Sequence, residues 1–442
     1  MTIRMDEGAA ELLDTLHRAG YAAYVVGGCV RDSLLGLTPH DWDLCTSALP
    51  QQGMKLFGEE KCIPTGLQHG TVTVKQGGGL YEITTFRTEG AYTDGRHPDE
   101  VHFVPDVRED LARRDFTINA MAYNEKEGLV DPFGGQADLQ SGVLRAVGVP
   151  HQRFTEDALR ILRLYRFAAR FGFAIDPPTA QAAQELCAHL DCVSVERIEE
   201  ELAKLLSAPA PAAYLDEKIL GVVLPELSPE ALAAAKPVVD ACPAGERALP
   251  VRLAALLLSL GEDGTRRTLR RLRCSNACIE ETAVLVREAV PGVPGAFSSD
   301  TNRAIPSPAL LPAATGSHPS GRSSEKLPAR PPVSLNIYTR KLLGQYGLKT
   351  VQRLAALGTA LQPEHAADFA ALSELAERLD ADGVCCRISQ LAVNGRDLMA
   401  AGVPAGPGIR KMLEALLDGV IREEYPNERQ ALLAAVQQLA AS

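Results

Sequence analysis

Near residue 150 the periodicity of this 442-residue chain changes, and the change restricts what it can fold into. Before that point, short β-branched runs alternate with glycines. YAAYVV (21–26) ends at Gly27-Gly28, and Val30 to Leu35 reads as a helix start. WDLCT (42–46) alternates as a half-buried strand. HGTVTVKQ (69–76) and LYEITTFR (80–87) read as two further strands joined by a glycine hairpin turn. Beyond about 153, Ala and Leu recur at helical spacing, and VSVERIEEELAKLL (193–206) is a strongly amphipathic helix. One core cannot serve both textures at this length. The expectation is an α+β segment with a small sheet, followed by all-helical segments.

The helical texture breaks once. Residues 291–334 contain nine Pro, eight Ser and four Gly, with few large apolar side chains. Such a composition buries too little surface to offset its ordering entropy, so 291–335 reads as a flexible linker or insertion. The most apolar window, LPVRLAALLLSL (249–260), is short and contains Arg252, which suits a buried helix and not a membrane span. The N-terminus is charged and amphipathic, unlike a signal peptide. Ten cysteines lie scattered, without a Cys-x-x-Cys pair or matching histidines. That pattern argues against zinc and for free thiols in a reducing cytoplasm.

Within the first segment, Asp41 and Asp43 flank Trp42. On a strand, positions i and i+2 share a face. Two adjacent carboxylates repel each other, and a divalent cation between them removes the repulsion. Oxygen-only ligation suits Mg²⁺, which takes one or two carboxylates together with substrate phosphates. The turn Gly27-Gly28 can bring backbone N–H groups to a phosphate, and Arg31 lies one turn into the following helix. Arg113-Arg114-Asp115 sets cations beside a carboxylate. Asp157, Arg160, Arg163 and Arg166 recur every third residue, a ridge of about 13 Å on a continuous helix. Between 151 and 175 there are five Arg against one Glu and one Asp, in a chain of net charge −11. Arginine offers a rigid donor fork for phosphates and base edges.

GGCVRD followed by DWD, then RRDFTINA, DPFGGQADL (131–139) and EDALRILRLYRFAARF, resembles the class II tRNA nucleotidyltransferases. These are the CCA-adding enzymes, with bacterial poly(A) polymerases as relatives. LAVNGRDLMAAGVPAGPGIRKMLEALLDGVIREEYPNER (391–429) is similar to the tail of the CCA-adding members. The resemblance implies a seahorse-like arrangement. It has a polymerase-β-like nucleotidyltransferase head (1–150), a helical neck with a nucleotide-selecting helix (151–210), a helical body (211–290), and a helical tRNA-binding tail (336–442). It also implies roles. Asp41 and Asp43 would hold catalytic Mg²⁺, with Glu82 a candidate third carboxylate. Gly28, Arg31 and Arg114 would contact the triphosphate. Asp157 and Arg160 would read the incoming base, and Arg163 and Arg166 would continue the nucleotide site.

The activity implied is template-independent addition of CCA to the 3′ end of tRNA from CTP and ATP, with release of pyrophosphate. Residues 84–115 resemble the flexible loop of full CCA-adding enzymes. Over 336–442 there are 11 Arg and Lys against 12 Asp and Glu, unlike the basic arm of poly(A) polymerases. CC-adding or A-adding enzymes and poly(A) polymerase are the alternatives, and a catalytically inactive RNA-binding relative is one of a different class. The implied partners are tRNA (3′ end, acceptor stem and T arm), ATP and CTP. No membrane and no stable protein partner is implied, and the expected location is the cytoplasm.

Overall fold

The computed structural model describes residues 3–90, 101–289 and 335–441. The chain divides into two compact units, Met1–Glu226 and Leu227–Ser442. The expected linker, apart from Leu335, and residues 91–100 of the expected loop lie outside the described residues.

The first unit opens with α1 (Glu7–Arg18), capped by Asp6, whose carboxylate accepts from Gly8 N and Ala9 N. Strand β1 (Ala23–Val26) runs into α2 (Gly28–Leu34). Then come β2 (Leu44–Thr46), α3 (Pro50–Phe57), β3 (Cys62–Gly66), β4 (Thr71–Gln76) and β5 (Gly79–Thr85). Strands β6 (Arg87–Glu89) and β7 (Val101–Phe103) form a separate pair. Helix α4 (Val107–Ala112), β8 (Ala122–Asn124), β9 (Gly128–Val130) and α5 (Gly135–Ser141) complete the sheet region. Among the described residues, seven strands form one sheet in the order β3-β4-β5-β2-β1-β8-β9. Every pairing in it is antiparallel except β2 with β5, where Leu44 faces Ile83 in parallel. All four residues of β1 are buried, as befits a strand covered on both faces. One face packs Tyr24, Val26 and Cys45 against Phe86, Val107 and Leu111.

The glycine hairpin closes as Gln76 pairs with Gly79 across Gly77 and Gly78, both at positive φ. Two such residues fit the twist of an antiparallel ribbon. Past the sheet, β10 (Val143–Leu144) pairs in parallel with β11 (Ala174–Ile175), so one short strand interrupts the helical stretch expected beyond 153. Helices α6 (Pro150–Glu156), α7 (Leu159–Phe171), α8 (Pro177–Glu185), α9 (Val195–Leu206) and α10 (Glu217–Val223) finish this unit.

The second unit is helical throughout its described residues. Helices α11 (Pro229–Ala241), α12 (Leu249–Leu257), α13 (Gly261–Arg271) and α14 (Asn276–Ala289) come first. They are followed by α15 (Leu335–Tyr346), α16 (Leu348–Leu361), α17 (Ala366–Ala381), α18 (Gly395–Ala400), α19 (Pro407–Ile421) and α20 (Arg429–Ala441). Leu398, Leu416, Val420 and Leu432 join α18, α19 and α20 in one core. Helix α12 is buried, as its apolar window suggested, and among the described residues no helix is long and apolar enough to cross a membrane.

Candidate active site

The strand expected over 42–46 starts only at Leu44, so Asp41 and Asp43 lie in the segment entering β2 and not within a strand. Asp43 is still tied to the sheet, since its carbonyl accepts from Val26 N at 3.0 Å. Asp41 lies beyond that last hydrogen bond. The parallel pairing explains which carboxylate meets them. Leu44 faces Ile83, so Asp43 and Glu82 each sit one residue before a paired position on neighbouring parallel strands. Glu82 is exposed on β5, between the buried Tyr81 and Ile83.

The electrostatics agree with this placement. Protein packed around its carboxyl, followed by the Glu82 charge, pushes Asp43 above the ordinary carboxylate range. Arg114 opposes the shift and Asp41 adds to it. These groups therefore share one field, and it is short of positive charge. Among the described residues no group of three or more His, Cys, Asp or Glu forms a metal cage. The donor set still fits a divalent cation. It offers only carboxylate oxygens, and it is destabilised by like charge that a cation would relieve.

Two features beside these carboxylates suit an anion. Gly27 has φ 75°, and a Cβ there would come within 2.8 Å of Arg114 Nη1. A side chain would thus need a left-handed backbone and would displace Arg114. The Arg114 Nε is buried without a hydrogen-bond partner among the described residues, while its Nη2 reaches Asp110 at 3.5 Å. An unpartnered buried donor beside a glycine turn is suited to an incoming anion. Gly28 begins α2 directly after this turn.

The remaining residues occupy more enclosed positions than their charge suggests. Arg31 is buried, bonded through Nε to Asp32 at 2.7 Å and through Nη1 to Asn119 Oδ1 at 2.6 Å. Burial lowers its pKa, and Asp32 offsets part of that. The continuous ridge expected from Asp157 to Arg166 is interrupted. Asp157 is extended (φ −145°) between α6 and α7, and its Oδ1 accepts from Leu159 N at 3.1 Å. An aspartate can cap a helix this way, which the uninterrupted Ala/Leu pattern concealed. Asp157 Oδ2 accepts from Arg197 at 2.8 Å. Arg160 is buried and donates to Glu156, Arg153 O and Arg113 O. Arg163 donates to Asp115 Oδ2 at 2.9 and 2.6 Å, and Arg166 pairs with Glu201 at 2.5 Å. Although burial alone would raise it, the Arg163 guanidinium and the Asn119 amide hold Asp115 well below the usual carboxylate range.

Sequence reasoning did not single out Asn119, Asp32 or Glu201. Asn119 lies inside RRDFTINA and donates to Asp115 Oδ1 at 3.0 Å while accepting from Arg31. Its signal was its place in the motif. Glu201 and Arg197 are exceptions to the solvated polar face of an amphipathic helix, and nothing in the spacing of α9 marked them.

A family model described as poly A polymerase head domain matches residues 23–145. A probable RNA- and SrmB-binding site of polymerase A matches 172–230, and a putative tRNA nucleotidyltransferase domain 2 matches 337–436. The CCA-adding enzyme of Lactiplantibacillus plantarum is 48% identical over 209 residues, 47% of this chain and 51% of that one. That of Limosilactobacillus fermentum is 36% identical over 442 residues, covering 98% of this chain and 97% of its own. The crystal structure of the Bacillus stearothermophilus CCA-adding enzyme in complex with CTP superposes with a TM-score of 0.78 at 30% identity, covering 99% of this chain and 98% of that one. A polymerase-like head, helical segments after it and near-complete coverage at this identity place the chain in the CCA-adding enzyme family of tRNA nucleotidyltransferases.

Proposed function

We propose that this chain adds CCA to the 3′ end of tRNA from CTP and ATP and releases pyrophosphate, with Asp41, Asp43 and Glu82 forming the metal-binding edge of the site. The placement of Asp43 beside Glu82 at the parallel β2–β5 seam, next to the Arg114 field, carries this reading. The tRNA 3′-hydroxyl attacks the nucleotide α-phosphate, and the oxygen bridging to the β-phosphate leaves with pyrophosphate. Mg²⁺ held by these carboxylates would supply charge neutralisation for the phosphoryl transfer. The protein supplies position and electrostatics, which account for most of the catalysis in such reactions.

Arg114 turns its buried, unpartnered donor to the triphosphate at the glycine turn formed by Gly27 and Gly28. Asp157 and Arg160 read the base. An aspartate only accepts and an arginine only donates, so a base with the wrong edge leaves a group unpaired. Both are already engaged, Asp157 by Arg197 and Arg160 by Glu156, so their orientation is fixed before the nucleotide arrives. Arg163 and Arg166, held by Asp115 and Glu201, continue the nucleotide site. Arg31 acts from beneath the turn. The tRNA acceptor stem and T arm lie along the helical segments beyond the head. All ten cysteines are free thiols, which supports a cytoplasmic setting.

Incubation with labelled CTP, labelled ATP and tRNA lacking its 3′ end tests the reading. Ordered incorporation of C, C and A is expected. Addition of C alone, A alone or a run of A would replace it with a CC-adding, A-adding or poly(A)-polymerising activity. The head-domain model shares its name with the poly(A) polymerases, so the last outcome is a specific competitor.

A further inference from the structure

Four guanidinium groups gather on two phenylalanine rings in the first unit. Phe167 and Phe171, one turn apart on α7, stack with an interplanar angle of 4° and centroids 6.1 Å apart. Arg166 lies 3.8 Å above the Phe167 centroid, and Arg163 lies 5.4 Å from it. Arg170 stands 5.0 Å from Phe171. The fourth cation comes from another element. Arg31, on α2 just after the glycine turn, sits 5.3 Å from Phe167 and 4.9 Å from Phe171. Phe167 is itself fixed by an edge-to-face contact with Phe116 at 5.9 Å.

Hydrogen bonds close the same loop from the other side. Arg31 donates to Asn119, Asn119 donates to Asp115, and Asp115 accepts from Arg163. Arg163 and Arg31 then meet again across Phe167. A leucine would fill the volume and satisfy the core. It would not attract guanidinium groups to a defined face, whereas an aromatic ring does. The cations crowd one another here. Burial lowers Arg166 to about 10, with Glu201 opposing and Arg163 and Arg170 adding to the fall. Such crowding needs a surface that favours positive charge.

We infer that Phe167 is a positioning residue for nucleotide selection: its ring holds Arg31 of the glycine turn and Arg163 and Arg166 of α7 in one register, fixing the distance between the triphosphate-facing turn and the base-reading residues. The inference rests on the proposed nucleotide-selecting role of 157–166. Phe171 extends the platform under Arg31 and Arg170.

The test compares Phe167→Leu, Phe167→Tyr and Phe171→Leu in the full chain, with Asp157→Ala as a control. The readout is kcat/KM for CTP, ATP, UTP and GTP on tRNA lacking CCA, with tRNA affinity measured separately. Phe167→Leu should narrow the preference for CTP and ATP over UTP and GTP by about tenfold, the scale of one well-placed cation–π interaction. Its tRNA affinity should be unchanged, and Phe167→Tyr, which keeps the ring face, should recover most of the preference. If Phe167→Leu does not fold, Phe171→Leu should show the same loss in smaller degree. Unchanged discrimination in the folded leucine variants, with only rate or melting temperature reduced, would show that the rings merely fill the core. If Asp157→Ala also kept full discrimination, the base-reading assignment itself would fail. Relaxed discrimination in Asp157→Ala alone would overturn only the role of Phe167.

Discussion

Neutralising Asp43 should separate stability from activity. Its folded pKa is raised, so the ionised carboxylate disfavours the folded state at neutral pH. Asp43→Asn should therefore abolish nucleotide addition and slightly raise Tm measured in EDTA. Added Mg²⁺ should raise Tm of the wild type and leave that of the variant unmoved. A variant that kept near-normal turnover would remove Asp43 from the metal site. Asp115 has the opposite sign. Its folded pKa lies below the unfolded value of about 3.9. The stabilisation is complete above that pH and is lost as pH falls through the folded pKa. Asp115→Ala should cost about 3 kcal/mol by stranding Arg163, less whatever Glu201 recovers, as measured by denaturant unfolding at pH 7. The cost should shrink in acid. At this scale the spacing of Asp41 and Asp43 drew attention to the pair, but it set them on a strand that begins only at Leu44. The sequence exposed the arginines poorly. Charge suggested an open ridge, whereas Arg160 and Arg166 are buried against partners many residues away.

Among the elements, the turn between β1 and α2 should tolerate a methyl group poorly. Gly27→Ala would place an L residue at φ 75° and push Arg114 aside, costing about 1–3 kcal/mol in backbone strain alone. KM for CTP and ATP should rise together, with discrimination kept; a normal KM for both would show that Arg114 does not serve the triphosphate. Gly135 is constrained for another reason. A Cβ there would collide with the Thr117 carbonyl oxygen, so α5 packs directly on the backbone of RRDFTINA. Gly135→Ala should lower Tm without changing which nucleotides are used. The hairpin β4–β5 was legible because glycine turns and alternation are local signals. The break between α6 and α7 was hidden, since only the capping bond from Asp157 distinguishes it from a continuous helix. The pairing of β2 with β5 was equally hidden, because parallel partners distant in sequence leave no local mark.

Over the whole molecule, net charge opposes a polyanionic partner, so tRNA must meet local positive surfaces. A candidate is the run RRTLRRLR (266–273), in which Arg267 and Arg270 are exposed while Arg266 is paired with Glu262 and Glu280. Changing Arg267 and Arg270 to Gln should weaken tRNA binding for all tRNA sequences alike. It should also lower the slope of log affinity against log salt by roughly one for each phosphate no longer neutralised. An unaltered slope would exclude this face. The helical texture of 227–442 was readable, but which helices share a core was not, since Ala/Leu periodicity specifies a buried face without naming its partner. The mixed sheet also sets an order of assembly. Strands β3, β4 and β5 find each other through short loops, whereas Leu44 must reach Ile83 and Val25 must reach Tyr123 across long intervening chain. Local ribbons form early and distant pairings pay their closure entropy first. Asp43 and Glu82 each precede a residue of the Leu44–Ile83 pair at the β2–β5 seam, so the proposed metal-binding edge is not assembled until the two ribbons join. In refolding followed by pulsed hydrogen exchange, amides of 71–85 should gain protection before nucleotide addition returns, and competence should appear with protection of Leu44 and Cys45.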